Sequence, residues 1–106
     1  MSIFEQIKKE IEENDIILYM KGTAECPQCG FSSIVVSILK KFNVQFKCVN
    51  VLESDEIREA IKKFSDWPTV PQLYIKGEFI GGSDIIREIY DSGELNSLLK
   101  NKGLLG

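Results

Sequence analysis

Histidine is missing from this chain altogether, which removes Cys-His nucleophile pairs, histidine metal ligands and histidine general bases together. Chemistry here must rest on thiols, carboxylates, amines or backbone groups. Long hydrophobic runs are missing too, since stretches such as Ile16 to Met20 are far too short to cross a bilayer. The N-terminus, MSIFEQIKKEIEEN, has neither a secretory apolar core nor an Arg-rich transit pattern. A soluble, unexported protein with no membrane partner is expected. Nor is there a basic block: the 13 Lys and Arg are spread along a chain whose formal net charge is -3. That leaves no electrostatic footprint for nucleic acid.

Cysteine is scarce, three in 106 residues, an odd number that fits a reducing compartment better than a secreted disulfide framework. The cytoplasm is the expected location, and a processed mitochondrial protein would read the same way. What is present is an ordinary globular balance, 43% hydrophobic and 27% charged. One domain over residues 1–106 is expected. A chain of this length buries roughly two thirds of its unfolded surface, enough to fold without disulfide or metal staples. The cysteines are therefore free for chemistry.

Ser2 with Glu5 matches a capping box, and Ile3, Phe4, Ile7 and Ile11 recur at helical spacing, so a first helix should run to about Asn14. Ile16 to Met20 reads as a strand buried on both faces. After the loop KGTAECPQC, the residues Phe31, Ile34, Val35, Ile38, Leu39 and Phe42 form the stripe of a helix against a core. Phe46 to Val51 reads as a second strand. A further helix opens at the acidic turn Ser54-Asp55-Glu56 and carries Ile57, Ala60, Ile61 and Phe64. Strand, helix, strand makes a right-handed βαβ unit.

The second half changes character, because QLYI and EFI flank Lys76-Gly77 like an antiparallel hairpin. Gly81-Gly82 breaks the strand, and Ser83 is read as the N-cap of a helix ended by Gly93. Leu95, Leu98 and Leu99 mark a last short helix. With no linker or repeat, the simplest packing is a three-layer α/β domain with a mixed four-stranded sheet flanked by helices. That arrangement is the thioredoxin fold.

Cys29 falls at the end of the first loop, immediately ahead of a helix, where unpaired N–H groups and the macrodipole favour an anion such as a thiolate. Lys21, in the same loop, adds positive charge. Cys26 and Cys29 also form C-P-Q-C, the spacing of a dithiol redox pair. The register argues against that use, because the helix starts after the second cysteine. Counting from Cys29, the resolving position is Ser32, and a hydroxyl cannot close an intramolecular disulfide. A mixed disulfide on Cys29 then needs another thiol to resolve it. Cys48 lies within the second strand and reads as an inert core residue.

At these residues a resemblance becomes specific. KGTAECPQCGFS is similar to the active-site loop of the monothiol glutaredoxins of CGFS type, with Cys29-Gly30-Phe31-Ser32 as the signature. WPTVPQLYIKGEFIGGSDI resembles their second block almost word for word, and LYMKG and ELNSLL extend the likeness over nearly the whole chain. The resemblance implies glutathione binding. Lys21 and Arg58 suit glutathione carboxylates. Thr69-Val70-Pro71 looks like a cis-proline turn whose Val70 offers its backbone to a thiol peptide. Ser83 and Asp84 can receive a carboxylate at a helix start. Trp67 then belongs to a loop that forms the site.

One such cysteine per chain falls short of the four ligands of a 2Fe-2S cluster. The resemblance implies two chains bridged by a cluster, with two Cys29 thiolates and two glutathiones as ligands. Cys29 is thus the expected metal ligand and reactive thiol, and Lys21, Cys29, Arg58, Val70, Ser83 and Asp84 the glutathione site. A cluster carrier is expected more than an enzyme, with a second copy of itself, BolA-like proteins and apo iron-sulfur proteins as partners. The alternative is a glutathione-dependent thiol-disulfide oxidoreductase with Cys26 as resolving thiol. Its support is that the family loop more usually carries another residue at position 26. A structural zinc held by Cys26, Cys29 and Cys48 is a third reading, short of a fourth ligand.

Overall fold

A computed structural model describes residues 2–105. The chain runs α1 (Ile3–Glu13), β1 (Ile16–Met20), α2 (Gly30–Lys41), β2 (Lys47–Asn50), a 3-10 turn (Val51–Glu53), α3 (Asp55–Ser65), β3 (Gln72–Ile75), β4 (Glu78–Gly81), α4 (Ser83–Ser92) and α5 (Glu94–Asn101). The strands stand in the order β2-β1-β3-β4. β1 pairs parallel with β2 and antiparallel with β3, and β3 pairs antiparallel with β4.

β1 explains the layering. All five of its residues are buried, and alternation sends them to opposite faces. Ile16, Leu18 and Met20 join Val35, Leu39, Ile86, Leu95 and Leu99 beneath α2, α4 and α5. Ile17 and Tyr19 join Ile7, Ile11, Ile57 and Ile61 beneath α1 and α3. A strand covered on both faces has no polar side, which is why its sequence reads as a continuous apolar run. The fold is the expected α/β thioredoxin plan with a mixed four-stranded sheet.

Three local readings change. The second strand is shorter than Phe46 to Val51, because the Asn50 side chain accepts the Leu52 N–H at 3.0 Å and turns the chain into the 3-10 segment. β2 is also an edge strand, so Cys48 is only half-buried, packed against the margin of the core. At α4 the N-cap is Gly82, and Ser83 is the first helical residue; no side chain caps that end. Ser2 and Ser54 do cap their helices, accepting the N–H of Glu5 and of Ile57. No described helix is long and apolar enough to cross a membrane.

Candidate functional site

Cys29 is the N-cap of α2, in extended conformation, with no capping hydrogen bond from its side chain. Its sulfur therefore stays available beside the helix's first N–H groups. The loop that delivers it is pinned at its start. The Lys21 N–H donates to Ser32 Oγ at 3.3 Å, and the Gly22 N–H donates to Asn50 Oδ1 at 2.9 Å. The Gln28 N–H returns to the Lys21 carbonyl at 2.9 Å. Gly22 has φ +93°, and a Cβ there would stand 2.6 Å from the Cys26 carbonyl oxygen. Only glycine fits that turn. Ser32 is fully buried, so the hydroxyl at the resolving position serves the Lys21 backbone.

All six residues assigned to glutathione, Lys21, Cys29, Arg58, Val70, Ser83 and Asp84, line one open groove of about 460 Å³. Phe31, Lys62, Pro68, Thr69 and Pro71 complete its lining. The sheet brings together residues far apart in sequence: Lys21 directly follows β1, α3 carries Arg58, the turn before β3 carries Val70, and α4 opens with Ser83 and Asp84. Two helix N-termini, those of α2 and α4, thus border the groove, a setting that favours anions.

Charge in the groove is mostly positive. Lys21 and Arg58 have no ion-pair partner among the described residues. Lys62, one helical turn after Arg58, pairs with Glu59 at 2.9 Å, and this contact lowers the Glu59 carboxyl from its ordinary range. Phe31, read as part of the core stripe of its helix, is instead exposed and lines the groove, and Lys62 is a groove residue that the sequence reading missed. Spacing of four from Arg58 on one helix was the available signal for Lys62.

The Val70–Pro71 peptide is cis. Neither the N–H nor the C=O of Val70 has an intramolecular hydrogen-bond partner among the described residues. Across from it Gly82 lies close under the same loop: a Cβ there would stand 3.3 Å from both the Pro71 carbonyl oxygen and the Trp67 indole nitrogen. Trp67 also packs on Phe79, with ring centroids 5.8 Å apart, so it ties the proline turn to the start of α4.

The other cysteines lie elsewhere. Cys26 is exposed in the loop, its sulfur 3.3 Å from Gln28 Nε2, and it is not part of the groove lining. Cys48 borders a separate groove with Glu25, Phe46 and Asn50. Burial, and then the Glu25 carboxylate, push its thiol up from the ordinary range. Among the described residues no three His, Cys, Asp or Glu side chains converge as a metal site. The three cysteines that a structural zinc would need are not gathered in one such group.

Comparison with known proteins agrees with this geometry. Residues 16–80 match the family model for glutaredoxin. A protein of Rickettsia felis named "Probable monothiol glutaredoxin 2" is 57% identical over 97 residues, which cover 92% of this chain and 93% of that one. The solution structure of reduced apo GrxS14 from poplar superposes with a TM-score of 0.84 at 46% identity, over 95% of this chain and 93% of that one. A buckwheat glutaredoxin, solved as its glutathione complex, shares the fold with a TM-score of 0.85 at 21% identity, over 98% of this chain and 93% of that one. With a single cysteine in its groove and matches of this extent, the chain belongs to the monothiol branch of the glutaredoxin family.

Proposed function

We propose that the chain is one glutaredoxin domain that seats glutathione in this groove and uses Cys29 to carry a 2Fe-2S cluster between two copies. The cluster is cargo, passed on to apo iron-sulfur proteins, with BolA-like proteins as further partners. One observation carries the reading: an unpaired thiol at a helix N-terminus opens onto a groove in which two of the three cations, Lys21 and Arg58, have no ion-pair partner among the described residues.

Glutathione brings two carboxylates, one ammonium group and a thiol. Lys21 and Arg58 match the carboxylates as charge-assisted donors, and the first N–H groups of α4 offer a further anion site. Asp84 is the acidic group in the groove and complements the ammonium. The free backbone groups of Val70 suit an extended peptide. Held this way, the tripeptide keeps its thiol next to Cys29.

The donor set fits a shared cluster. One chain contributes one groove thiolate, and a 2Fe-2S cluster needs four ligands; two chains and two glutathiones supply them. Once bound, the cluster provides iron and sulfide in transferable form. The protein's part is to hold the tripeptide and present the thiolate. Because half of the ligands are diffusible, release to an acceptor with four cysteines is favoured.

Anaerobic mixing of protein, iron, sulfide and glutathione should yield a visible-absorbing species with the native mass of a dimer. Cys29→Ser should lose it, and a variant that still assembles the dimer overturns the reading. The second reading, a disulfide oxidoreductase, draws on the exposed Cys26. Mass spectrometry after mild oxidation separates the two. A glutathionylated Cys29 supports the carrier, and a dominant Cys26–Cys29 disulfide supports the enzyme.

A further inference from the structure

We propose that Gln72 is a positioning residue for the groove, turning the Val70 N–H outward toward the ligand; this rests on the glutathione reading above. Gln72 and Ser32 are the polar side chains buried among the described residues, and both are 0% exposed. Burying an amide costs free energy unless its hydrogen bonds are made. Gln72 makes them on one loop: Nε2 donates to the Trp67 carbonyl at 3.2 Å and to the Thr69 carbonyl at 3.0 Å. Oε1 faces the Tyr74 hydroxyl at 3.5 Å. Residues 67–71 have no strand or helix ladder of their own, so this amide takes the ladder's place.

The consequence follows from peptide geometry. The Thr69 C=O and the Val70 N–H belong to one peptide group, and the cis bond is the next one along. In a planar trans peptide the C=O and N–H point in opposite directions. Drawing the Thr69 oxygen inward to a fully buried amide therefore aims the Val70 N–H away from the core. Val70 lines the groove, and that N–H has no internal partner among the described residues. Gln72 touches no ligand; it acts through the plane of this one peptide.

The test is calorimetric titration of reduced glutathione into wild type, Gln72→Met and Gln72→Glu, at a temperature where circular dichroism shows each folded. Gln72→Met lacks both donors and should bind about tenfold more weakly. Gln72→Glu keeps the volume and the acceptor for Tyr74. Its carboxylate opposes the Thr69 oxygen at pH 8, whereas its protonated form can donate to that oxygen at pH 5. Its affinity should therefore recover toward wild type as pH falls, over a range in which glutathione keeps both carboxylates ionised. A purely structural role would shift the melting midpoint and leave the affinity of the folded protein and its pH profile unchanged. Should Gln72→Met fail to fold, Gln72→Glu carries the test. Wild-type binding that both variants retain overturns the role of Gln72 alone. Absence of binding by the wild type overturns the glutathione reading and this proposal with it.

Discussion

Cys29 and Cys48 are both partly buried free thiols, yet the end of the first loop and the edge of the sheet treat them oppositely. Cys29 caps a helix without giving up its sulfur and shares its groove with Lys21 and Arg58. Cys48 stands in a short edge strand where burial and Glu25 push its thiol up. Fractional exposure alone would not separate them. What does is the setting: a helix start with two cations in the same groove for Cys29, burial and the Glu25 carboxylate for Cys48.

The sharpest way to break this contrast is to exchange serine for each cysteine. Cys29→Ser should abolish the cluster-loaded dimer, and Cys48→Ser should leave its absorbance intact; equal loss from both would end the distinction. Next in size is Gly22→Ala, which forces a Cβ into the turn that delivers Cys29. Strain of this kind costs about 1–3 kcal/mol, read as a lower midpoint in urea unfolding. An alanine at Gly77, which also has positive φ but open space around it, should cost less.

A smaller effect tests the cations. Arg58→Ala should weaken glutathione binding about tenfold, roughly 1.4 kcal/mol, without changing the rate at which Cys48 is alkylated. Smallest is a pH effect on Cys48 itself. A thiol pushed up by burial is protonated across the neutral range, so its iodoacetamide rate should rise only above the pH at which the unfolded chain reacts. The sign for stability is the same: the contribution is complete below the unfolded thiol value and is lost as pH climbs through the folded one. Alkylation of Cys48 at neutral pH as fast as in urea would contradict the burial.

Much of the fold is legible in the order of the residues alone. Period and punctuation locate every helix and strand to within a few residues, because a centrally placed strand and amphipathic helices leave patterns in the chain itself. Six of the groove residues, Lys21, Cys29, Arg58, Val70, Ser83 and Asp84, are indicated by family resemblance, and they do lie together. What escapes such a reading depends on tertiary neighbours. That β2 is an edge, which leaves Cys48 half-exposed, follows from strand order and not from its own four residues. Gly82 rather than Ser83 caps α4, at a point where the chain passes so close to Pro71 and Trp67 that a side chain would be crowded. The hydrogen bonds of Ser32, Asn50 and Gln72 are hidden altogether, since a polar residue looks the same in sequence whether it faces water or a backbone N–H or carbonyl.

Trp67 is the chain's one tryptophan, and its indole sits where the proline turn meets the start of α4. The ring stands beside the groove, next to Pro68 and behind Gly82, without being part of its lining. The protein thus carries a single intrinsic fluorophore next to its groove, with no second indole to blur the signal.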